Sequence, residues 1–376
     1  MRNSTWFAVR FTGCFAAGSC LVAIAIGRMC APAPSLRSME KTRLIHMPII
    51  THAKPDERLS FLDTESGRSI PVDLPPGETV EWASCSPWHD AQGRRQFVGR
   101  WESRSGDGAA ELVNEFGLAR FSFPDGEALN RIPLEITPRG TPCWYPGTTA
   151  KILFTASDGG LYRFAFEGSR SADATPDGCD TRPQPIPWKV APPGEAERSV
   201  HIADPVWPED RAFGGLLFVA LSMQTYEGDQ LGWTAYRIWW LRLDREGSAI
   251  EAAGPLMQNP ATFDGKDKGR FPRPVRMADG RCHLAFLSRD RETSSWDLCL
   301  APIVLDGSGL PHVDPDTVKV VAERCAPVPP AFSADSRWLY FHFANDAPGQ
   351  IHPFPVAGEP AARRAVSPDD RENRGE

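Results

Sequence analysis

A unit made of proline, any residue and a large aromatic residue recurs along this sequence. The clearest copies are Pro142-Cys143-Trp144, Pro205-Val206-Trp207 and Pro330-Ala331-Phe332, with two weaker copies at 83–87 and 274–280. A short apolar run follows each copy, at 96–101, 152–156, 216–220, 283–287 and 338–343. These runs are rich in β-branched and aromatic residues, a composition that predicts strands. A strand-bearing unit that returns at long intervals predicts a repeat architecture built from β-sheet.

The other end of the unit is a strand that closes on a glycine turn. Six such closures occur, at 59–67, 118–126, 161–168, 236–247, 296–307 and 350–358. Glycine suits these turns because many of them require positive φ, which costs a residue with a Cβ atom. The proline of the opening fits the start of a strand, where its missing N–H costs the sheet no hydrogen bond.

Six closures against five openings predict an all-β, six-bladed β-propeller over residues 44–362. The N-terminal stretch 44–74 supplies strands without an opening of its own, and the stretch 361–366 could supply a strand that the ring lacks. A ring whose last blade uses both chain ends has no free sheet edge, so we expect ring closure to involve the N-terminal strands. The charged tail, 363–376, is expected to be disordered.

The stretch 330–341, Pro-Ala-Phe-Ser-Ala-Asp-Ser-Arg-Trp-Leu-Tyr-Phe, resembles the repeat of TolB-type, WD40-like propellers. In that family a proline-x-aromatic-serine-proline-aspartate-glycine stretch precedes a buried strand. The copy at 274–281 keeps the Asp279-Gly280 turn but has Arg276 where the aromatic residue belongs, whereas the copies at Pro142 and Pro205 keep the aromatic residue and lose the turn. The resemblance covers residues 44–358. It implies the propeller fold and no particular activity.

Residues 1–30 read as a separate segment. Arg2 and Arg10 precede an uncharged stretch at 11–27, a length that suits a signal peptide or a short membrane anchor. A linker, 31–43, follows it, and a buried N-terminal helix is the alternative interpretation. We therefore expect an exported or membrane-anchored protein of the periplasm or cell envelope, with membrane contact through 11–27 only if the leader is retained.

Charge and cysteine usage exclude several classes of protein. The net charge is −7 without an extended basic stripe, so we expect no nucleic-acid partner. Outside the leader there are cysteines but no C-x-x-C pair, and the eight histidines show no i, i+4 pairing, so we expect no metal and no cofactor.

Cys282 and Cys299 are predicted to face each other across a hairpin and to form a disulfide. The alternative is two small buried apolar side chains.

No residue pattern amounts to a catalytic signature, so the leading hypothesis is a non-catalytic envelope propeller that binds a protein or another ligand through its loops. The first candidates are the long segments 169–199 and 257–272, although a solvated surface loop is the favoured interpretation of each. Trp144, Trp207 and Phe332 share one position of the repeat and are expected to pack between blades rather than to stack on carbohydrate.

Two other functions stay open. A propeller-type glycosidase or lyase would need paired carboxylates at the channel mouth, and Asp204, Asp279 and Asp335 lie at similar places in their blades. Three or more histidine, acidic or arginine side chains that converge at one mouth would favour the enzyme. A structural propeller without a small ligand is the third possibility.

Overall fold

The computed structural model of the chain describes residues 44–46, 60–63, 69–72, 74–90, 92–105, 113–123, 128–166, 182–190, 200–208, 213, 215–227, 230–233, 236–257, 266–277, 280–290, 294–333, 336–346 and 350–356. Regular structure in these residues is almost entirely β-strand, and a short 3-10 helix lies at Pro315–Thr317. The predictions for the leader (1–30), the linker (31–43), the stretch 361–366 and the tail (363–376) lie outside the described residues. No helix of the described part is long and apolar enough to cross a membrane.

The strands form antiparallel sheets that follow one another along the chain. A small N-terminal sheet holds β1 (Leu44–His46), β2 (Ser60–Asp63) and β3 (Ser69–Pro71). Blade 1 holds β4 (Glu78–His89), β5 (Arg95–Ser105), β6 (Val113–Phe123) and β7 (Ala128–Pro133). Blade 2 holds β8 (Pro138–Trp144), β9 (Lys151–Ala156), β10 (Leu161–Ala165) and β11 (Gln184–Pro185).

The later blades follow the same plan, and their strands vary more in number. Blade 3 holds β12 (Val200–Val206), β13 (Leu216–Glu227), β14 (Gln230–Trp233), β15 (Arg237–Leu243) and β16 (Ile250–Pro255). Blade 4 holds β17 (Lys266–Arg276), β18 (Cys282–Asp290), β19 (Trp296–Leu305), β20 (Pro311–His312) and β21 (Lys319–Cys325). Blade 5 holds β22 (Ala331–Phe332), β23 (Trp338–Phe341) and β24 (His352–Pro355). The segment 257–272, predicted as a loop, therefore includes the start of β17 from Lys266 onward.

The all-β propeller prediction is confirmed, but the structure has five blades, not six. Each of the five proline-aromatic openings lies in or beside the first strand of a blade, so the openings count the blades correctly. The closure at 59–67 caused the error, because its strand, β2, pairs only with β1 and β3. No described sheet combines strands from both chain ends, so the expected closure of the ring by the N-terminal strands is not established.

Packing between neighbouring blades holds the molecule together. The second strands are buried on both faces, and β9 is buried from Ile152 through Ala156 without alternation. Four core clusters of described residues join blade 1 to 2, 2 to 3, 3 to 4 and 4 to 5. Trp239 packs in the cluster of blades 2 and 3, whereas its neighbour Trp240 lies in that of blades 3 and 4, because successive side chains of a strand point to opposite faces.

The first strand of each blade lies at the centre of the molecule. β4 lies beside β8, β8 beside β12, and β12 beside β17. The prolines of the openings do not start these strands as predicted. Pro142 and Pro205 lie near the ends of β8 and β12, within shifts of register. A bulge tolerates proline because the ladder is already interrupted there.

Candidate ligand-binding site

Bulges in the central strands position the candidate site. The register shifts at 81–84 in β4, 139–143 in β8, 203–206 in β12 and 270–273 in β17. Each bulge holds one residue with positive φ, namely Trp82 (51°), Gly140 (65°), Asp204 (52°) and Phe271 (55°). Three of these are not glycine, so their backbone is strained and must be held by the surrounding packing.

The residues that follow the bulges line a cavity at the centre of the propeller. Its volume is about 220 Å³, and all five central strands or the residues beside them contribute to its wall. The lining residues are Ala83, Ser84, Cys85, Thr141, Pro142, Cys143, Pro205, Val206, Arg273, Pro329, Pro330, Ala331 and Phe332. None of these described residues is acidic, and Arg273 is the basic one.

The guanidinium of Arg273 gives this cavity its charge. Its Nη1 donates a hydrogen bond to the Pro272 carbonyl at 3.0 Å. Among the described residues, no carboxylate oxygen lies within ion-pairing distance of it. Burial holds the pKa of Arg273 below the usual value, while the nearby Asp204 raises it. An arginine remains protonated in a protein, so Arg273, whose side chain is half-buried, is a cation in the wall of the cavity.

The remaining polar groups in the wall are neutral. Burial raises the pKa of the Cys85 thiol to about 11 and that of the Cys143 thiol to about 12. Both thiols therefore stay protonated near neutral pH. Thr141 is only 3% exposed, and its Oγ1 has no hydrogen-bond partner among the described residues.

A buried ion pair stands beside the cavity. Asp204 is fully buried next to Pro205 of the wall. Its Oδ2 accepts hydrogen bonds from Arg270 Nε and, at 3.2 Å, from the Phe271 N–H, and its Oδ1 accepts one from Arg270 Nη2 at 3.1 Å. The Arg270 guanidinium also lies over the Tyr236 ring, 4.5 Å from its centroid. With both carboxylate oxygens bonded, Asp204 joins blade 3 to blade 4.

His201 connects to the same group. Its Nδ1 lies 3.2 Å from the Tyr236 hydroxyl oxygen. Burial, together with the charges of Arg139 and Arg270, lowers the pKa of His201, which favours a neutral imidazole at neutral pH. His201, Asp204 and Arg270 thus lie close together beside the cavity, but Asp204 is fully buried rather than exposed at a channel mouth.

The aromatic residues of the repeat occupy the inter-blade positions that we expected. Trp144 is buried between blades 1 and 2, and its Nε1 donates to the Ser84 carbonyl of blade 1 at 3.0 Å. The Trp207 ring lies 5.9 Å from that of Tyr145 in blade 2, and Phe332 packs against the cluster of blades 4 and 5. Phe332 also lines the central cavity.

The cysteine pair does not occupy facing positions in this register. Cys282 pairs with Ile303, and Cys299 pairs with Phe286. The two residues are therefore not directly opposite each other as the disulfide prediction required, and both are buried in the core shared by blades 3 and 4 without a disulfide. Within the described residues, no group of histidine, cysteine and acidic side chains could hold a metal ion.

Sequence reasoning missed Arg273, Thr141 and the pair of Asp204 with Arg270. The sequence contains one signal for Arg273, because this arginine directly precedes Pro274, the first residue of the repeat copy at 274–280. Asp279 and Asp335 lie outside the described residues, as do most of 169–199 and the stretch 258–265.

A second concavity lies at the rim between blades 1 and 2. Its volume is about 550 Å³, and strands β7 and β10 contribute residues such as Ile132 and Phe164. It is lined by residues of two blades only. The central cavity is therefore the better candidate, because every blade contributes to it.

Comparison with known proteins found similar chains among solved structures. No family model and no curated protein matches the chain. Among solved structures, the GH43 protein BlXynB from Bacillus licheniformis is 12% identical with a TM-score of 0.40, covering 75% of this chain and 57% of its own. An endo-arabinase from Bacteroides thetaiotaomicron is 10% identical with a TM-score of 0.39, covering 70% and 90%. The Dos1 propeller is 13% identical with a TM-score of 0.35, covering 70% and 56%.

Proposed function

We propose that this chain is a non-catalytic β-propeller that binds a small ligand in its central cavity. The observation that carries the proposal is the wall of that cavity, which combines residues of all five blades with the half-buried Arg273 and no acidic residue among those described. Binding sites for small molecules are concave, mostly apolar and equipped with few polar groups, a description that this wall fits. The repeat at 330–341 leads us to include a relationship to TolB-type propellers in the proposal.

A cavity-filling variant tests the proposed site. Ala331 lines the cavity, so Ala331→Phe should occupy it, whereas Ala344→Phe places the same side chain at an exposed position of blade 5. A thermal-shift screen with neutral, cationic and anionic metabolites should find compounds that stabilise the wild type and Ala344→Phe but not Ala331→Phe. Ligands that stabilise all three proteins equally would place the site elsewhere, and a screen without any ligand would contradict the proposal.

We also propose that the protein works outside the cytoplasm, on the basis of the uncharged stretch at 11–27. A phosphatase reporter that is active only outside the cytoplasm, fused after residue 43, should be active in the cells that make it. Deletion of 11–27 should abolish this activity. Reporter activity that is absent from the intact fusion would contradict the assignment.

A glycosidase or lyase is the second candidate, because His201, Asp204 and Arg270 converge beside the cavity. Glycoside hydrolysis ordinarily requires two carboxyl groups that flank the scissile bond, and the oxygens of Asp204 are already bonded. Assays with a panel of aryl glycosides decide the question. If there is glycosidase activity, His201→Gln and Asp204→Asn should abolish it, whereas the exposed substitution Asp316→Asn should leave it intact. That result would establish an enzyme and overturn the proposal of a non-catalytic binding protein.

A further inference from the structure

We infer that the ligand of the central cavity carries an oxyanion, a phosphate, sulfate or carboxylate group, held by Arg273 and Thr141. This inference rests on the proposed function and specifies the chemistry of its ligand. A cavity of about 220 Å³ has room for such a group with several water molecules, each of which takes about 30 Å³ in the liquid.

Charge is the first reason. In the group beside the cavity, the Asp204 carboxylate already pairs with Arg270, so these two charges compensate each other. Arg273 adds a further positive charge, and its guanidinium bonds only a neutral carbonyl among the described residues. No carboxylate of the described lining competes for this half-buried cation, so an anion in the cavity would be attracted to it.

Hydrogen-bonding capacity is the second reason. A guanidinium has five N–H donors, of which one donates to the Pro272 carbonyl. The remaining donors can make the two parallel bonds with which arginine recognises carboxylates and phosphates. Thr141 adds a buried hydroxyl without a partner among the described residues, and it lines the same wall as Arg273. A hydroxyl in this position donates to an oxyanion and so satisfies its own hydrogen-bonding requirement.

The rest of the wall selects against other ligands. A cation would meet Arg273 without an acidic residue in the described lining to balance it. Cys85 and Cys143 present protonated thiols, because burial raises the pKa of both, so they add no negative charge that would repel an anion. The proline, alanine and valine side chains of the wall carry no charge and no side-chain hydrogen-bonding group that would compete with the anion for Arg273.

Calorimetric titration of the purified full-length protein with sodium phosphate, sulfate and acetate at constant ionic strength tests the inference, with glycerol as a neutral probe. We expect saturable binding of at least one oxyanion to the wild type. Arg273→Met should weaken it at least ~10-fold, and the near-isosteric Thr141→Val should weaken it several-fold. Arg245→Met removes an exposed arginine that does not line the cavity, so it should leave the affinity unchanged. The three anions distinguish tetrahedral from planar ligands.

The variant Arg273→Lys is the control for misfolding. Lysine keeps the charge but loses the planar pair of donors, so we expect intermediate binding with an unchanged circular dichroism spectrum. Equal anion affinity in the wild type and Arg273→Met would overturn the inference, as would the absence of saturable binding of every anion. If neutral metabolites bind in the cavity while anions do not, the proposed function stands and the oxyanion inference fails.

Discussion

At the scale of single residues, two glycines with the same backbone conformation have different surroundings. Gly159 has a φ of 81°, and a Cβ atom there would lie 1.9 Å from Cδ2 of His201. Gly280 has the same φ, yet a Cβ atom there would meet nothing within 4 Å. The pair separates the backbone penalty of a side chain at positive φ from the steric penalty of its contacts.

Gly159→Ala should therefore destabilise the fold more than Gly280→Ala. The backbone term is about 1–2 kcal/mol for alanine in the left-handed region, and displacement of His201 adds about 1–3 kcal/mol at position 159. Urea denaturation of both variants measures the difference in the free energy of unfolding. Equal losses in the two variants would show that His201 moves aside without cost.

The ion pair of Asp204 and Arg270 is a second feature at this scale. Asp204→Asn should lower the free energy of unfolding by about 3–5 kcal/mol, because it leaves Arg270 without its carboxylate in a buried place. The double variant Asp204→Leu/Arg270→Met should recover part of the loss. As a control, Glu78→Gln breaks the partly exposed pair with Arg131 and should cost about 1 kcal/mol or less. Equal losses in the free energy of unfolding for all three variants would contradict the assignment of a stabilising ion pair to Asp204 and Arg270.

At the scale of elements, short segments connect one blade to the next. After β11, the Lys189 N–H donates to the Ile250 carbonyl at 2.9 Å, so blade 2 bonds to β16 of blade 3. The Lys189 ammonium lies 2.7 Å from Asp244 Oδ2, in the turn that precedes β16. Ser248 donates to the same carboxylate through its N–H and its hydroxyl. Asp244 thus organises both the turn and the junction between the blades.

Acid should weaken this junction. The bond from Lys189, followed by those from Ser248, holds the pKa of Asp244 well below its usual value. A carboxylate with a lowered pKa in the folded state stabilises the fold above the unfolded-state pKa of about 4, and this contribution is lost as the pH falls further. The stability difference between wild type and Asp244→Asn should therefore be constant from neutral pH to about pH 4 and shrink below it. Lys189→Met should make this acid-dependent loss smaller, because it raises the pKa of Asp244 in the folded state towards the unfolded-state value. A difference that stays constant in acid would refute the role of Asp244.

At the scale of the whole molecule, contacts across the centre supplement those between neighbouring blades. Trp82 of blade 1 stacks on Phe271 of blade 4, with ring centroids 5.8 Å apart, and packs against the core of blades 4 and 5. No fully buried cluster of described residues joins blade 5 directly to blade 1. The Trp82 ring therefore links blade 1 to the core that blades 4 and 5 share.

Trp82→Ala should lower the free energy of unfolding by about 2–4 kcal/mol through lost burial and stacking. Trp88→Ala offers a matched control, because Trp88 lies in the same strand but is 37% exposed. Chemical denaturation followed by circular dichroism compares them. A loss in Trp88→Ala as large as that in Trp82→Ala would show that the stacking with Phe271 contributes little.

The sequence by itself determined the class of the fold and the places of most strands. Turn residues, apolar runs and proline-aromatic openings act over a few residues, so the second strands of all five blades could be predicted from them. The inter-blade position of Trp144 followed from the same repeat. Local pattern could not separate a blade from the small N-terminal sheet, because both use strands that end on glycine.

Tertiary structure decided the number of blades and the site. The cavity exists because four bulges place residues from distant parts of the chain, such as Thr141 and Arg273, in one wall. The register of β18 and β19 separated Cys282 from Cys299, since a pairing shift of a few residues leaves the local pattern unchanged. Charges such as those of Asp204 and Arg270 meet across 66 residues of sequence, and only the packing of one blade on the next brings them together.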